Sequence, residues 1–207
     1  MLMNRVETAL VNSPPRRWLQ RWYEVPWMVR QGGFPDAGAR VLEIGCGRGY
    51  GTQLILRRLP DARVDAIDLD DAMVRRARRR LAGHHERVRI VQGSATDLHS
   101  ALDADDDSYD AVFDFAIIHH IPNWRAAIGE AARVLRPGGR FYFDEVTARA
   151  LARPTYRLLF DHPTQDRFTA EEFFAELPRH GLTVLAALTR IHGDYLLGVA
   201  RKQHPAP

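Results

Sequence analysis

A glycine-rich turn between two apolar segments constrains the fold of this chain more than any other part of its sequence. Residues 41–44 read Val-Leu-Glu-Ile, and such a mostly apolar run is typical of a strand buried on both faces. Gly45, Gly47 and Gly49 follow it, and residues 52–56 begin a helical stretch. Because glycine has no Cβ, the turn lets backbone come close to a ligand at the N-terminus of that helix. The segment therefore predicts a ligand site where this strand ends.

The spacing of the glycines distinguishes two kinds of nucleotide-binding turn. A dinucleotide fingerprint starting at Gly45 needs a glycine at position 50, where this chain has Tyr50. The spacing is instead G-x-G-x-G, with the acid Glu43 shortly before the first glycine. This run, Glu-Ile-Gly-Cys-Gly-Arg-Gly, resembles the first motif of class I S-adenosylmethionine (SAM)-dependent methyltransferases. The resemblance implies that SAM, with S-adenosylhomocysteine as its product, is bound by Glu43, Gly45, Cys46, Gly47 and Gly49.

Two later segments resemble further cofactor motifs of this family. Asp68 ends the second predicted strand, about 20 residues after the glycines, where an acid hydrogen-bonds ribose hydroxyls in doubly wound folds. Asp70 or Asp71 is expected to cap the next helix, and both roles can hold together. After the third strand the family commonly has an acid that contacts adenine, whereas this chain has Ser94, so we expect the backbone of Ser94 and Ala95 to do so. The resemblance also assigns to the cofactor site Leu69, Met73 and Phe115.

Two adjacent histidines follow the fourth predicted strand, residues 109–115. The run Ile-His-His-Ile resembles the L-H-H-L segment found after strand four in many small-molecule methyltransferases. His119 and His120 either act at the site or hydrogen-bond the loop in place. If the acceptor must lose a proton, they are the candidate bases, because imidazole titrates near neutral pH. We expect His120 to be the better candidate, and Glu145 beyond strand five to be a weaker one.

The order of elements predicts one α/β domain over residues 1–207. The run at 134–139, Val-Leu-Arg-Pro-Gly-Gly, resembles the turn from helix to strand five in the family. Apolar runs at 182–191 and 195–200, joined by His-Gly-Asp, predict a terminal antiparallel hairpin. The resemblance therefore implies a Rossmann-like, doubly wound, seven-stranded sheet of order 3-2-1-4-5-7-6, with strand 7 antiparallel.

The segments before and after the core strands are expected to close the site. Residues 1–35 are predicted as an N-terminal helical lid segment, in which Pro26 kinks or ends a helix. Trp18 and Trp22 lie one helical turn apart, and they pack into the core, cover the substrate and cofactor, or contact a membrane interface; we favour packing. Residues 147–168 are predicted to form the wall of the acceptor site.

Charge and composition limit the partners and the alternatives. The net charge is +3 with a single lysine, and we interpret the arginine-rich run 75–80 as a solvated helix face rather than a nucleic-acid patch. The chain lacks a membrane-length run of about 18 apolar residues, a signal peptide and a metal-ligand pattern, so we expect a cytoplasmic protein without metal. We predict methyl transfer to a small-molecule acceptor by a monomer or homodimer. The alternatives are a SAM-binding module without catalysis and an RNA or protein methyltransferase.

Overall fold

The computed structural model describes residues 5–159 and 165–204, except for the side chains of residues 5–7. Residues 1–4 of the predicted lid segment and residues 160–164 of the predicted acceptor wall lie outside the described residues. The strands are β1 Arg40–Ile44, β2 Arg63–Asp68, β3 Val88–Gln92, β4 Tyr109–Phe115, β5 Leu135–Val146, β6 Leu182–Arg190 and β7 Tyr195–Lys202.

The described helices lie before and between these strands. None of the described helices combines the length and apolarity needed to cross a bilayer. The α-helices are α1 Arg5–Val11, α2 Pro14–Leu19, α3 Val25–Gly32, α4 Tyr50–Arg58, α5 Asp71–Arg80, α6 Leu98–Leu102, α7 Trp124–Val134, α8 Ala148–Leu151, α9 Pro154–Leu159 and α10 Ala170–Glu176. A π-helix spans Gln20–Glu24, and 3₁₀ turns lie at Ala82–His84, Ile118–His120 and Leu177–His180.

Seven strands of the described chain form one sheet in the order β3-β2-β1-β4-β5-β7-β6, which confirms the predicted order. β1 pairs in parallel with β2 on one side and with β4 on the other. β7 pairs antiparallel with both β5 and β6, also as predicted. The strand order reverses between β1 and β4, and open α/β sheets bind ligands at the carboxyl ends of the strands beside such a point.

The sheet is covered by helices on both faces. Successive strand residues point to opposite faces, so Leu42 and Val41 of β1 enter different cores. Leu42 packs in the core that contains Trp124 of α7 and Phe173 of α10. Val41 packs in the core that contains Leu54 of α4, together with buried residues of α3 and α5. Because both faces are covered, the ends of the strands are where a ligand can reach the sheet.

The N-terminal segment differs from the expectation in two ways. Pro26 does not end the helix: α2, the π-helix Gln20–Glu24 and α3 follow one another without a break, and the π-helix lies immediately before the proline. Trp18 and Trp22 are 63% and 58% exposed, so the prediction that they pack into the core is wrong. Arg16 and Leu19 of α2 instead line a cavity beside β5, and the tryptophans remain exposed to solvent.

Candidate active site

Two cavities open at the carboxyl ends of the strands, and the 3₁₀ turn Ile118–His120 belongs to both. The first, of about 290 Å³, lies over the ends of β1, β2 and β3, and we call it the β1–β3 cavity. The second, of about 390 Å³, lies between β5, β7 and the N-terminal segment, and we call it the β5–β7 cavity. His120 lines both cavities, whereas His119 lines the second.

The glycine turn after β1 adopts a left-handed backbone that side chains rarely allow. Gly45, Gly47 and Gly49 have φ angles of +69°, +53° and +78°. A Cβ at Gly45 would collide with Ile117, so this glycine lets the turn pack against the segment that carries the histidines. A Cβ at Gly47 would have no described atom within 4 Å. Gly47 therefore leaves open space in which a ligand can approach the backbone.

Asp68, at the end of β2, holds the glycine turn in this conformation. Its carboxylate accepts a hydrogen bond from the backbone N–H of Gly47 at 2.7 Å and from that of Asp70 at 2.9 Å. Burial raises the pKa of Asp68, although these two donors oppose the shift. Carboxylate oxygens keep further lone pairs, and Asp68 lines the β1–β3 cavity. It can therefore also accept hydrogen bonds from hydroxyl groups of a ligand there.

The predicted cofactor residues fall into two groups. One group comes from the ends of β1, β2 and β3 and from the segments that follow them, and it lines the β1–β3 cavity: Gly45, Asp68, Leu69, Met73, Ser94 and Ala95. The second group is not among the lining residues of that cavity and lies in the glycine turn or the strands beside it: Glu43, Cys46, Gly47, Gly49 and Phe115. Thr8 of α1 and Ile117 also line the cavity, and neither carried a signal in the sequence, because their contacts arise only from the tertiary fold.

Glu43 lies beneath the glycine turn and has no contact with the cavity surface. It is fully buried, and the Thr52 hydroxyl at the start of α4 donates to its carboxylate. A Cβ at Gly51 would collide with the same carboxylate. Burial, with a smaller contribution from the charge of Asp68, raises the pKa of Glu43 to about 8. These contacts fit a residue that fixes the first turn of α4 under the glycine turn.

The Glu43→Gln variant is expected to lose the pH dependence that Glu43 imposes on stability. A folded-state pKa of about 8, against 4.5 for the free group, means that stability falls as pH rises between these values. The neutral amide of the variant does not titrate. As pH rises across this range, the free energy of unfolding of Glu43→Gln should therefore increase relative to that of the parent by roughly 2–4 kcal/mol. Urea unfolding of both proteins at several pH values measures this difference. The exposed control Glu86→Gln should show the same dependence of the free energy of unfolding on pH as the parent. If the curve of Glu43→Gln also ran parallel to that of the parent, Glu43 would be ionised in the folded protein over this pH range.

His119 is held by the buried carboxylate of Glu145. The two side chains meet through Nδ1 of His119 and Oε2 of Glu145, 2.6 Å apart. Glu145 also accepts from the backbone N–H of Ile118 at 2.6 Å and from that of Val146 at 3.0 Å. With Nδ1–H donating to the carboxylate, the basic nitrogen of the neutral ring is Nε2. The ring of His120 lies alongside, with 4.2 Å between the two centroids.

Asp114, at the end of β4, lies against Glu145 and supplies a second buried carboxyl group. Burial, and then the charge of Glu145, raises the pKa of Asp114 well above its ordinary value. Burial also raises the pKa of Glu145 to about 7, while its bond with Asp114 opposes that shift. Two carboxylates in contact do not both ionise, so the pair holds one proton near neutral pH. Because the pKa of Asp114 is raised the more strongly, we assign the shared proton to Asp114 and the charge that faces His119 to Glu145.

The β5–β7 cavity has a largely apolar wall and one cluster of charges. Arg16 of α2 donates to Asp144 of β5 at 2.7 Å and also to Glu24 at the end of the π-helix. Burial and the neighbouring Asp144 raise the pKa of Glu24 to about 8. These contacts attach the N-terminal segment to the sheet, and no sequence pattern indicated them. The apolar wall consists of Leu10, Val11, Leu19, Val146, Ile191, Leu196 and Leu197.

Comparison with known proteins supports this fold. Residues 41–139 match a family model described as a methyltransferase domain. The fatty-acid O-methyltransferase of Mycolicibacterium smegmatis is 36% identical over 130 residues, which are 62% of this chain and 44% of that protein. The malonyl-[acyl-carrier protein] O-methyltransferase of Halorhodospira halophila is 41% identical over 104 residues, 50% of this chain and 34% of that protein. Over residues 41–139 the chain is therefore similar to methyltransferase domains, in agreement with the motifs in its sequence.

A solved structure of low sequence identity has the same fold as this chain. The geranyl diphosphate C-methyltransferase from Streptomyces coelicolor has a TM-score of 0.71, with 86% of this chain and 74% of that chain covered at 14% identity. The chain spans less than half the length of the two curated relatives. The family model covers the glycine turn, Asp68 and both histidines, but not the N-terminal segment or the hairpin of β6 and β7. These uncovered parts form much of the β5–β7 cavity.

Proposed function

We propose that this protein is a SAM-dependent methyltransferase, which binds SAM in the β1–β3 cavity and transfers its methyl group to a small-molecule acceptor in the β5–β7 cavity. The observation that carries the proposal is the position of His120, which lines both cavities. A donor on one side and an acceptor on the other can then approach each other across the histidine turn. Holding two reactants in this way supplies much of the catalysis when the donor is already reactive.

The residues of the β1–β3 cavity fit SAM. Asp68 offers carboxylate oxygens to the ribose hydroxyls, and the open space at Gly47 admits the ligand close to the backbone. Leu69, Met73 and Pro122 provide apolar surface for the adenine ring. SAM supplies a methyl group that its sulfonium already activates. The remaining tasks of the protein are to orient the acceptor, to exclude water and, for a protic acceptor, to remove a proton.

His119 is the proposed proton acceptor. The sequence favoured His120, but Glu145 contacts His119, and a carboxylate at Nδ1 both fixes the ring and favours its charged form. The arrangement follows the general logic in which a base is oriented by a third group. His120 then remains as part of the wall between donor and acceptor. We assign Glu145 as a positioning residue, with Asp114 holding the shared proton behind it.

The acceptor is proposed to have a mainly apolar body and a protic nucleophile. The apolar wall of the β5–β7 cavity favours such a body, and His119 lies where a hydroxyl could donate its proton. One relative is named as a fatty-acid O-methyltransferase and another as a malonyl-[acyl-carrier protein] O-methyltransferase, so both names give oxygen as the acceptor atom. A hydroxylated or carboxylated molecule with an alkyl or aryl body is therefore the first class to test.

The N-terminal segment is proposed to close both cavities. Thr8 of α1 lines the β1–β3 cavity, and Arg16, Leu19 and Glu24 line the β5–β7 cavity. This placement supports the lid role predicted for residues 1–35. Residues 147–159 contribute less: Tyr156 of α9 lines the β5–β7 cavity, which supports the predicted acceptor wall.

Transfer of a labelled methyl group tests the proposal. SAM with a radioactive methyl is incubated with the protein and a panel of fatty acids, alkyl alcohols, phenols and alkyl amines, and labelled product is extracted. We expect label in at least one apolar oxygen acceptor. Binding of S-adenosylhomocysteine without transfer to any member of the panel would instead support a SAM-binding module without catalysis.

The Asp68→Ala variant is expected to bind S-adenosylhomocysteine about 10–100-fold more weakly than the parent. The carboxylate is a charged hydrogen-bond acceptor for the ribose, and such bonds contribute about 1.5–3 kcal/mol. It also orders Gly47, so its loss loosens the glycine turn. Titration calorimetry measures the affinity, and the exposed Asp61→Ala variant is the control. An unchanged dissociation constant for Asp68→Ala would mean that Asp68 only stabilises the turn.

A further inference from the structure

Four arginines converge beside the glycine turn, outside both cavities. Arg17 of α2 and Arg80 of α5 lie over the ring of Tyr50, with their guanidinium carbons 5.3 Å and 5.9 Å from its centroid. Arg48 lies in the glycine turn itself, and Arg76 lies one helical turn before Arg80. None of these four side chains lines the β1–β3 or the β5–β7 cavity. We call Arg17, Arg48, Arg76 and Arg80 the arginine cluster.

The arginine cluster contains no counter-charge among the described residues. The four side chains make none of the ion pairs found there, whereas Arg75 on the same helix pairs with Asp71. The Nε atoms of Arg17 and Arg48 are buried and have no hydrogen-bond partner. Buried donors are normally satisfied, and an orphaned donor costs free energy. Arg76 is exposed, as expected of a solvated helix face, whereas Arg80 is partly buried against Tyr50 and departs from that expectation.

The arginines of the cluster lie close enough for their charges to repel one another. Burial, and then the charges of Arg76 and Arg17, lowers the pKa of Arg48. Burial, followed by Arg17 and Arg48, likewise lowers the pKa of Arg80. An anion placed between these like charges would relieve their repulsion. The N-terminus of α4 adds to the attraction, because Gly49 caps it without a side-chain acceptor and its first turn holds no acid.

We infer that the arginine cluster is a binding site for a phosphoryl anion. Four positive charges without an acid match a phosphate or diphosphate group better than a single carboxylate, which neutralises only one of them. Guanidinium groups offer paired N–H donors that fit phosphate oxygens. The orphaned Nε atoms of Arg17 and Arg48 would then gain acceptors. This site goes beyond the proposed methyl transfer and needs neither SAM nor an acceptor for its occupation.

The bound anion would join the N-terminal segment to the glycine turn. Arg17 belongs to α2, the helix whose Arg16 and Leu19 line the β5–β7 cavity. Arg48 lies between Gly47 and Gly49, next to the open space assigned to the cofactor. An anion bound between these two arginines attracts both of them, so it would draw α2 and the glycine turn together. Occupation of the arginine cluster should therefore tighten S-adenosylhomocysteine binding.

Calorimetric titration of pyrophosphate in chloride buffer, with S-adenosylhomocysteine present and absent, tests this site. We expect binding in both cases, weakened about tenfold or more by Arg48→Gln and by Arg80→Gln. Arg79→Gln is the matched control, because Arg79 is an exposed arginine on the same helix. In the absence of pyrophosphate, Arg48→Gln should melt no lower than the parent, because it removes repulsion. Pyrophosphate should then raise the melting temperature of the parent but not of Arg48→Gln.

Three results would overturn the inference. Equal pyrophosphate binding by Arg48→Gln and Arg79→Gln would mean that the arginine cluster does not bind the anion. An affinity for S-adenosylhomocysteine that pyrophosphate leaves unchanged would mean that the anion does not link the N-terminal segment to the glycine turn. Loss of pyrophosphate binding in the presence of S-adenosylhomocysteine would assign the arginines to the carboxylate of the cofactor. A second arm uses vesicles with and without phosphatidic acid. Vesicle binding that pyrophosphate competes away identifies a lipid headgroup as the source of the phosphoryl group, whereas binding of pyrophosphate alone identifies a soluble ligand.

Discussion

The His119→Ala variant is expected to lose turnover by about 10²-fold or more while it binds S-adenosylhomocysteine with nearly the parent affinity. The imidazole is the proposed proton acceptor, and it lines the β5–β7 cavity rather than the β1–β3 cavity. Initial rates with the acceptor found by methyl transfer, together with calorimetry of S-adenosylhomocysteine, separate the two effects. Equal losses of turnover and of cofactor affinity would mean that His119 supports the fold of the turn and takes no part in proton transfer.

The Glu145→Gln variant distinguishes a positioning role from a structural one. The carboxylate beside Nδ1 stabilises the imidazolium, so its removal should lower the pKa of His119. The acidic limb of the pH–rate profile should therefore move to lower pH. The variant should also lose stability, because an amide cannot accept from every N–H that Glu145 serves. Reduced stability with an unmoved pH profile would leave Glu145 as a structural residue only.

The Gly47→Val variant is expected to lose S-adenosylhomocysteine affinity by at least about 100-fold, because a β-branched side chain would fill the space left for the ligand. The protein should still fold, since no described atom lies within 4 Å of the added Cβ. Its cost in stability comes from the left-handed backbone, at about 1–3 kcal/mol for a non-glycine residue. Calorimetry and urea unfolding of the same preparation measure the two effects separately.

Gly181→Val is the matched control for this substitution. Gly181 ends the 3₁₀ turn Leu177–His180 with a φ of +71°, and a Cβ there would also meet no described atom within 4 Å. Both variants should therefore lose similar stability, but only Gly47→Val should lose the cofactor. Normal binding by Gly47→Val would show that the glycine turn does not hold the ligand.

The fold could be predicted because its determinants are local. The apolar run before Gly45 specifies a buried strand, and the capping box of Thr169 and Glu172 specifies the start of α10, which the structure contains. The hairpin of β6 and β7 also follows from a short turn between two apolar runs. Each of these patterns involves residues close together in sequence, so it specifies the same local structure whatever the rest of the chain packs against it.

The candidate site could be predicted only in part because its contacts join distant residues. Asp68 and the glycines lie within one βαβ unit, so their spacing indicated a common site. His119 lies in a 3₁₀ turn, and its partner Glu145 lies in β5. The sequence does not indicate which of the two histidines Glu145 contacts. Likewise Arg16 bonds to Asp144, which lies more than half of the chain away in sequence. Arg17 lies close to Arg48 only because α2 packs beside the glycine turn. Interactions of this range depend on packing and carry no local pattern.

Calorimetric titration of the wild-type protein with S-adenosylhomocysteine and, separately, with NAD tests the central claim most directly. The account predicts saturable, one-site binding of S-adenosylhomocysteine and no response to NAD, because the turn has G-x-G-x-G spacing and Asp68 lies at the adjoining cavity. Binding of NAD without any response to S-adenosylhomocysteine would contradict it.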